Sequence, residues 1–336
     1  MKTERLIPVA SILSALVLLF GIGVYMGGAD TKEATEHGTA ETEAHVATQE
    51  PVFDLQYDKY LVEAPYTYEM NGMQRTFRFA HMLEYIATVD AEFGKGPICY
   101  VDNYKNRNGA APFYKGSAQD AYGVERSASA PAYPDSENLD AFRYLEDGTL
   151  VIVLEDKGGF TKVQILGDES GQAYDIPERY VPTNDCLTAF TRAIVIDRAN
   201  QNLAAFEVED GIWRIVSYNF ATTGMDGEYH SPTPLGFFFA IEKRERFYYV
   251  KDGTKDVIEG YAPYAIRFTQ GAYIHGVATA YRYDGEGNRI DPGLNEFSST
   301  VGTIPLSHKC VRSYTSHAKF LYDWYEHGNT VVIVME

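Results

Sequence analysis

Between residues 149 and 221 the chain runs in short apolar or alternating stretches: 149–154, 161–166, 193–197, 203–208 and 213–221. Turn-forming residues separate them, with Asp147-Gly148, Gly158-Gly159, Gly167-Asp168, 199–202 and Asp210-Gly211 as the punctuation. Stretches this short, closed by residues that accept tight turns, suit strands far better than helices with a buried stripe. The fold class expected is therefore mainly β. The runs 236–241 and 265–268 continue the sheet. Helical spacing returns near the end, where Ala318, Leu321, Trp324 and Tyr325 fall on one face and Gly328 reads as the residue after the helix. Residues 330–334 then form a last buried strand. The 26 tyrosines, against 2 tryptophans, fit a sheet-rich chain.

Residues 6–29 contain no charge and follow Lys2 and Arg5. A run of this length can cross a bilayer as a helix, and the basic flank places the N-terminus in the cytoplasm with the remainder exported. A cleaved signal peptide is the competing reading, since Gly27-Gly28-Ala29 supplies small residues before Asp30. Residues 30–50 are acidic and nearly free of large apolar side chains, so they read as a disordered tether, with His37 and His45 solvated rather than metal-binding. The body is expected outside the cytoplasm, facing a wall or periplasm. A formal charge of −18 without a basic stripe argues against a nucleic-acid partner.

Residues 51–96 read as an uncertain α+β segment: a hairpin at 67–79 around Asn71-Gly72, then a helix at 81–93. No chemistry is assigned to it. Residues 97–185 read as a small β domain in which 106–134, rich in Gly, Ala, Ser and Pro, is a long exposed loop. The stretch 148–165 and Arg179-Tyr180-Val181 resemble a bacterial SH3-like barrel. Such a module either packs only or binds wall peptide. Of the three cysteines, Cys99 and Cys186 flank this region, and an oxidising exterior permits a disulfide between them; two separate thiols are the alternative.

The chemistry concentrates in Ser307-His308-Lys309-Cys310-Val311-Arg312, with Ile274-His275-Gly276 upstream. A thiolate stabilised by a cation or base is a strong nucleophile, and an imidazole can accept and return its proton if a third group fixes the ring. Arg312 adds a planar fork suited to a carboxylate. These residues leave other readings open. Cys310 could be a small buried hydrophobe. His308, Cys310 and His275 could also bind zinc, although a structural site needs a fourth ligand and none is obvious. The expectation is no metal and no cofactor.

Residues 190–336 resemble the YkuD-type catalytic domain of L,D-transpeptidases. The matching pieces occur in order: Val216-Ser217, Thr223-Gly224, Ser231-Pro232-Thr233-Pro234-Leu235-Gly236, Tyr273-Ile274-His275-Gly276, the Ser307–Arg312 signature, and the closing helix and strand. The resemblance implies a β-sandwich catalytic domain with one C-terminal helix; the SH3-like barrel and the membrane helix read above would precede it and are compatible with such an enzyme. It also implies cysteine acyl transfer on peptidoglycan stem peptides, from a tetrapeptide stem to an amine acceptor. Cys310 would be the nucleophile and His275 the base, oriented through the Gly276 carbonyl. His308 and Ser307 would shape the site, the Lys309–Cys310 amides would stabilise the oxyanion, Arg312 would hold the loop or a substrate carboxylate, and Tyr273 and Ser231 would line the pocket.

Three positions depart from the family pattern. Lys309 replaces a Gly, so a side chain there is expected to cost strain or block approach. His317 replaces an Asp and should affect only the helix. Residues 280–299 read as an inserted loop beside the cleft. A weakened or inactive wall-binding protein is the alternative that Lys309 raises. A sortase-like transpeptidase is another, although its Arg lies on a later strand. A NlpC/P60 peptidase fits poorly, because its Cys precedes its His.

Overall fold

A computed structural model describes residues 49–336. The expected membrane anchor at 1–29, and all but the end of the tether at 30–50, lie outside the described residues. Among the described residues no helix is long and apolar enough to cross a membrane.

The strands Arg192–Asp197 and Thr330–Met335 pair in parallel at the middle of a six-stranded sheet. Both are almost wholly buried, because both faces of the sheet are covered. Alternation along Arg192–Asp197 sends its side chains to two cores. Ala193 and Val195 face helix α1 (Phe79–Glu92), which presents Phe79, Met82, Ile86 and Val89 at helical spacing. Ile194 and Ile196 face a second sheet through Ile266, Phe268, Ile274 and Val311, with helix α2 (Thr315–Trp324) closing that core through Leu321 and Trp324. The second sheet runs Glu242–Val250, Ile258–Thr269, Ala272–His275, Val311–Arg312.

The segment 51–96 is part of this architecture rather than a unit of its own. Val52–Phe53 forms the edge strand beside Ile212–Phe220, and α1 covers one face of the large sheet. Residues 280–299 form a short strand, a small hairpin and an irregular stretch held to the start of α2, where Asn295 accepts from Thr315 and Glu296 accepts from Ser316.

The region between α1 and Arg192–Asp197 has a four-stranded sheet (Ile98–Tyr100, Leu150–Asp156, Phe160–Ile165, Ala173–Pro177) and a two-stranded ribbon around one core. Cys99 and Cys186 are joined by a disulfide. The stretch 106–134 is not one exposed loop. Its end forms the buried ribbon strand Ser129–Ala132 against Arg143–Glu146. A strand of Ser, Ala and Pro carries no bulky apolar signal, yet small residues let it sit close under Tyr144. Gly328 is likewise not the residue after the helix, since Tyr325 caps α2 and Gly328 shapes the next turn with φ +79°. The long strand Glu242–Val250 was invisible to apolar pattern because it is a solvated edge rich in charge.

One turn locks the two regions together. The guanidinium of Arg267, 1% exposed, is paired with the buried Asp147 and with Glu242. The Thr269 hydroxyl donates to the Asp147 carbonyl, and the Phe239 amide donates to the Gly148 carbonyl. Gly148 has φ +88°, and a Cβ there would lie 1.9 Å from the Phe268 carbonyl oxygen. Gly148→Ala is expected to cost at least about 2 kcal/mol from strain and overpacking, measured by denaturant unfolding.

His317 lies fully buried in α2, bonded to the hydroxyls of Ser313 and Ser217 and packed on Tyr57. It therefore ties the helix to the large sheet, a wider role than the helix alone. Burial holds its pKa down to about 3. The folded chain resists the proton that the unfolded chain accepts near pH 6.5, so stability is full above that value and falls on acidification towards pH 3. His317→Gln should reduce the slope of stability against pH between 6 and 4 by up to about 1.4 kcal/mol per unit, the value for one proton.

Candidate active site

The parallel pairing of Ala272–His275 with Val311–Arg312 matches Ile274 to Val311 and His275 to Arg312. Side chains two apart on a strand share a face. His275, Tyr273, Arg312 and Cys310 therefore project to one side of the second sheet. There, a cavity of about 640 Å³ is lined by Cys310, His275, Arg312 and His308. The hairpin between Glu242–Val250 and Ile258–Thr269 forms one wall through Tyr248, Tyr249 and Asp252, and Tyr104 and Lys105 reach in from the preceding β region.

His275 is 3% exposed, and its Nδ1–H donates to the Gly276 carbonyl at 2.6 Å. A carbonyl only accepts, so the neutral ring carries its proton on Nδ1 and leaves Nε2 as the basic atom. Gly276 is fixed by crowding: a Cβ there would meet Thr315 Oγ1 at 2.9 Å and Pro263 at 3.0 Å. Burial pushes the imidazole pKa down to about 4, partly offset by that carbonyl.

Cys310 is a free thiol, 8% exposed, on the cavity wall. Burial pushes its pKa up, against the Tyr273 amide and the charges of Arg312 and Lys309. The resting pair is thus a neutral thiol with a neutral imidazole. Sulfur attack must be coupled to transfer of its proton. Sγ also lies 3.7 Å from the Gly271 carbonyl.

The other sequence-derived residues separate into distinct places. His308 stands at the rim, its Nε2 2.7 Å from Asp252 and its ring stacked on His230 at 4.0 Å. Ser307 is fully buried and braces the turn, donating to the Cys310 carbonyl and accepting from the Lys309 amide. The Tyr273 ring is buried beneath Cys310, stacked on Phe247 at 4.2 Å. Ser231 does not line the cavity; its carbonyl approaches Gly224, where a Cβ would lie 2.2 Å away.

Lys309 has φ +146°, in the region that favours glycine. Its side chain turns away from the cavity, and Nζ donates to Gln270 Oε1. Burial lowers the Lys309 pKa, while Glu146 and Glu125 favour its charged form. Glu146 lies on the ribbon of the preceding region, and its own carboxyl is pushed up by burial. The substitution therefore strains the backbone without filling the cleft, and the lysine ties the signature turn to the turn at Gln270 in the second sheet.

Sequence reasoning missed Thr233. Wholly buried, it accepts from the Gly224 amide and donates to the Lys309 carbonyl, each at 2.8 Å. Its signal was the Pro232-Thr233-Pro234 context, which fixes an extended backbone around one small hydroxyl. Asp252, His230, Gln270 and Gly271 gave no such signal, because loops far apart in sequence bring them in. Thr233→Val strands a buried amide and carbonyl, so stability should fall by about 2 kcal/mol or more. Hydrogen exchange should quicken at 307–311; unaltered exchange there would show that Thr233 does not hold the turn.

Residues 191–334 match the family model for YkuD, L,D-transpeptidase catalytic domain. No curated protein matches the chain. Among solved structures, an L,D-transpeptidase from Stackebrandtia nassauensis is similar at 25% identity, with TM-score 0.29, covering 44% of this chain and 56% of that one. An L,D-transpeptidase from Mycobacterium smegmatis is 16% identical, with TM-score 0.32, covering 54% and 80%. A fused Zn-dependent amidase/peptidase/peptidoglycan-binding domain-containing protein from Clostridium acetobutylicum is 17% identical, with TM-score 0.30, covering 43% and 52%. The chain thus spans about half the length of the Clostridium and Stackebrandtia proteins. Cys310, His275 and Arg312 all fall inside the matched stretch, and residues 191–334 carry a YkuD L,D-transpeptidase catalytic domain.

Proposed function

We propose that this chain is a peptidoglycan L,D-transpeptidase that transfers the acyl group of a tetrapeptide stem through Cys310 to an amine acceptor, acting outside the cytoplasm from an N-terminal membrane anchor. The observation that carries the reading is the shared cavity face of Cys310, His275 and Arg312, with the His275 ring locked by Gly276. In the first step Cys310 Sγ attacks the carbonyl carbon of the third stem residue as its proton passes to His275 Nε2. The tetrahedral oxyanion draws on the Cys310 amide, since the Lys309 amide is turned to the Ser307 hydroxyl. Collapse breaks the C–N bond, and His275 returns the proton to the departing amine of the terminal residue. An acceptor amine then attacks the thioester, gives a proton to His275, and releases the thiol.

Arg312 suits the carboxylate of the stem. It lines the cavity, and its Nε is buried with no hydrogen-bond partner among the described residues. A carboxylate would satisfy that group in a charge-assisted bond. The outward turn of the Lys309 side chain favours an active enzyme over the inactive wall-binding alternative. The disulfide is consistent with an oxidising compartment.

Incubation of the full chain in detergent with a purified tetrapeptide muropeptide should give a thioester adduct on Cys310 and cross-linked product, both read by mass spectrometry. Cys310→Ala should abolish both. An adduct persisting on the Ala variant, or its absence from the unmodified chain, would refute the assignment.

A further inference from the structure

At the mouth of the cleft three segments bring together side chains that the acyl-transfer chemistry does not require. His230 comes from the loop leading into Gly236–Phe239, Asp252 from the tip of the long hairpin, and His308 from the signature turn. One donor atom from each lies within 4.8 Å of the others. Among the described residues no other group of three His, Cys, Asp or Glu converges in this way. Two imidazoles and one carboxylate form a donor set for a borderline divalent ion such as Zn²⁺. Bonds of about 2.0–2.1 Å in a tetrahedron need donor separations near 3.3 Å, so closure asks for movements of about 1.5 Å or less. The two rings are now stacked at 18°, so closure requires one of them to turn about χ2. Both His230 and His308 reach solvent, so that turn meets little resistance.

We propose that His230, Asp252 and His308 form a divalent transition-metal site, with a fourth position open to solvent, that clamps the hairpin tip to the rim of the cleft. The ligands sit on three segments far apart along the chain, so one ion ties the tip at 251–257 to the signature turn. Because Tyr248, Tyr249 and Asp252 line the way to Cys310, fixing the tip narrows access to the thiol. The metal site itself does not depend on the proposed reaction.

Zn²⁺ alone is the probe, with the full chain in mild detergent and bound metal measured by equilibrium dialysis and elemental analysis. The Cys310→Ala chain removes the one competing thiol. It should bind one more Zn²⁺ than the Cys310→Ala, Asp252→Asn double variant, and His230→Ala in the same background should weaken that ion at least tenfold. Equal binding by Cys310→Ala and both double variants would overturn the site. The second readout is alkylation of Cys310 by iodoacetamide, which needs no substrate. Saturating Zn²⁺ should slow it at least fivefold in the unmodified chain and leave Asp252→Asn nearly unaffected. Equal slowing in both would place the ion on the thiol and overturn the clamp. Loss of stem-peptide turnover with zinc binding intact would instead count against the proposed reaction alone.

Discussion

The buried pair of Arg267 and Asp147 ties the preceding β region to the second sheet, beside the core that Ile98, Tyr100, Leu150 and Ile152 share with the large sheet. Two charges out of water are tolerable only when fully bonded, and here Glu242, the Asn103 amide and the Gln270 carbonyl complete the set. The chain around Arg267 continues directly into the floor of the active site. Thr269 bonds the Asp147 carbonyl, Gln270 receives the Lys309 ammonium, and the Gly271 carbonyl touches Cys310 Sγ. The preceding β region is thus a buttress for the surroundings of Cys310. Breaking the pair from one side would leave an uncompensated charge inside that buttress.

The groups that line the cleft are held by backbone more than by each other. His275 is aimed by the carbonyl of its neighbour, Cys310 by a turn that Ser307 and Thr233 brace, and Arg312 by strand pairing across Thr222. Such an arrangement keeps thiol and imidazole uncharged until a substrate arrives, because burial acts on both in the direction of neutrality. An idle neutral thiol is less exposed to oxidation than a standing thiolate.

Much of the large sheet was legible because its strands are apolar on both faces, as in 193–197 and 330–334. Cys310 and His275 were legible because two short motifs, Ser307–Arg312 and Tyr273–Gly276, resemble those of a known family. What escaped notice has physical causes. Glu242–Val250 is an edge strand whose charges face water, so it carries no hydrophobic period. Ser129–Ala132 is built from residues small enough to hide a buried strand inside a loop-like composition. Asp252 and His230 reach the cleft only through the hairpin and a loop, and no spacing along the chain encodes that meeting. Lys309 was legible as a departure, but the direction of its side chain depends on Gln270 and Glu146, which lie far away in sequence.

The Cys99–Cys186 link has a last implication. The polypeptide enters and leaves the preceding β region at two points whose Cα atoms are 4.1 Å apart. The residues between them form a closed covalent ring, through which the path to the catalytic layers need not pass. A protease that cut once inside this ring, for example in the exposed bends near Tyr122 or Leu139, would leave both halves attached. Gel mobility would reveal such a nick only after reduction, so a chain closed in this way can be scarred by its surroundings and still remain one molecule.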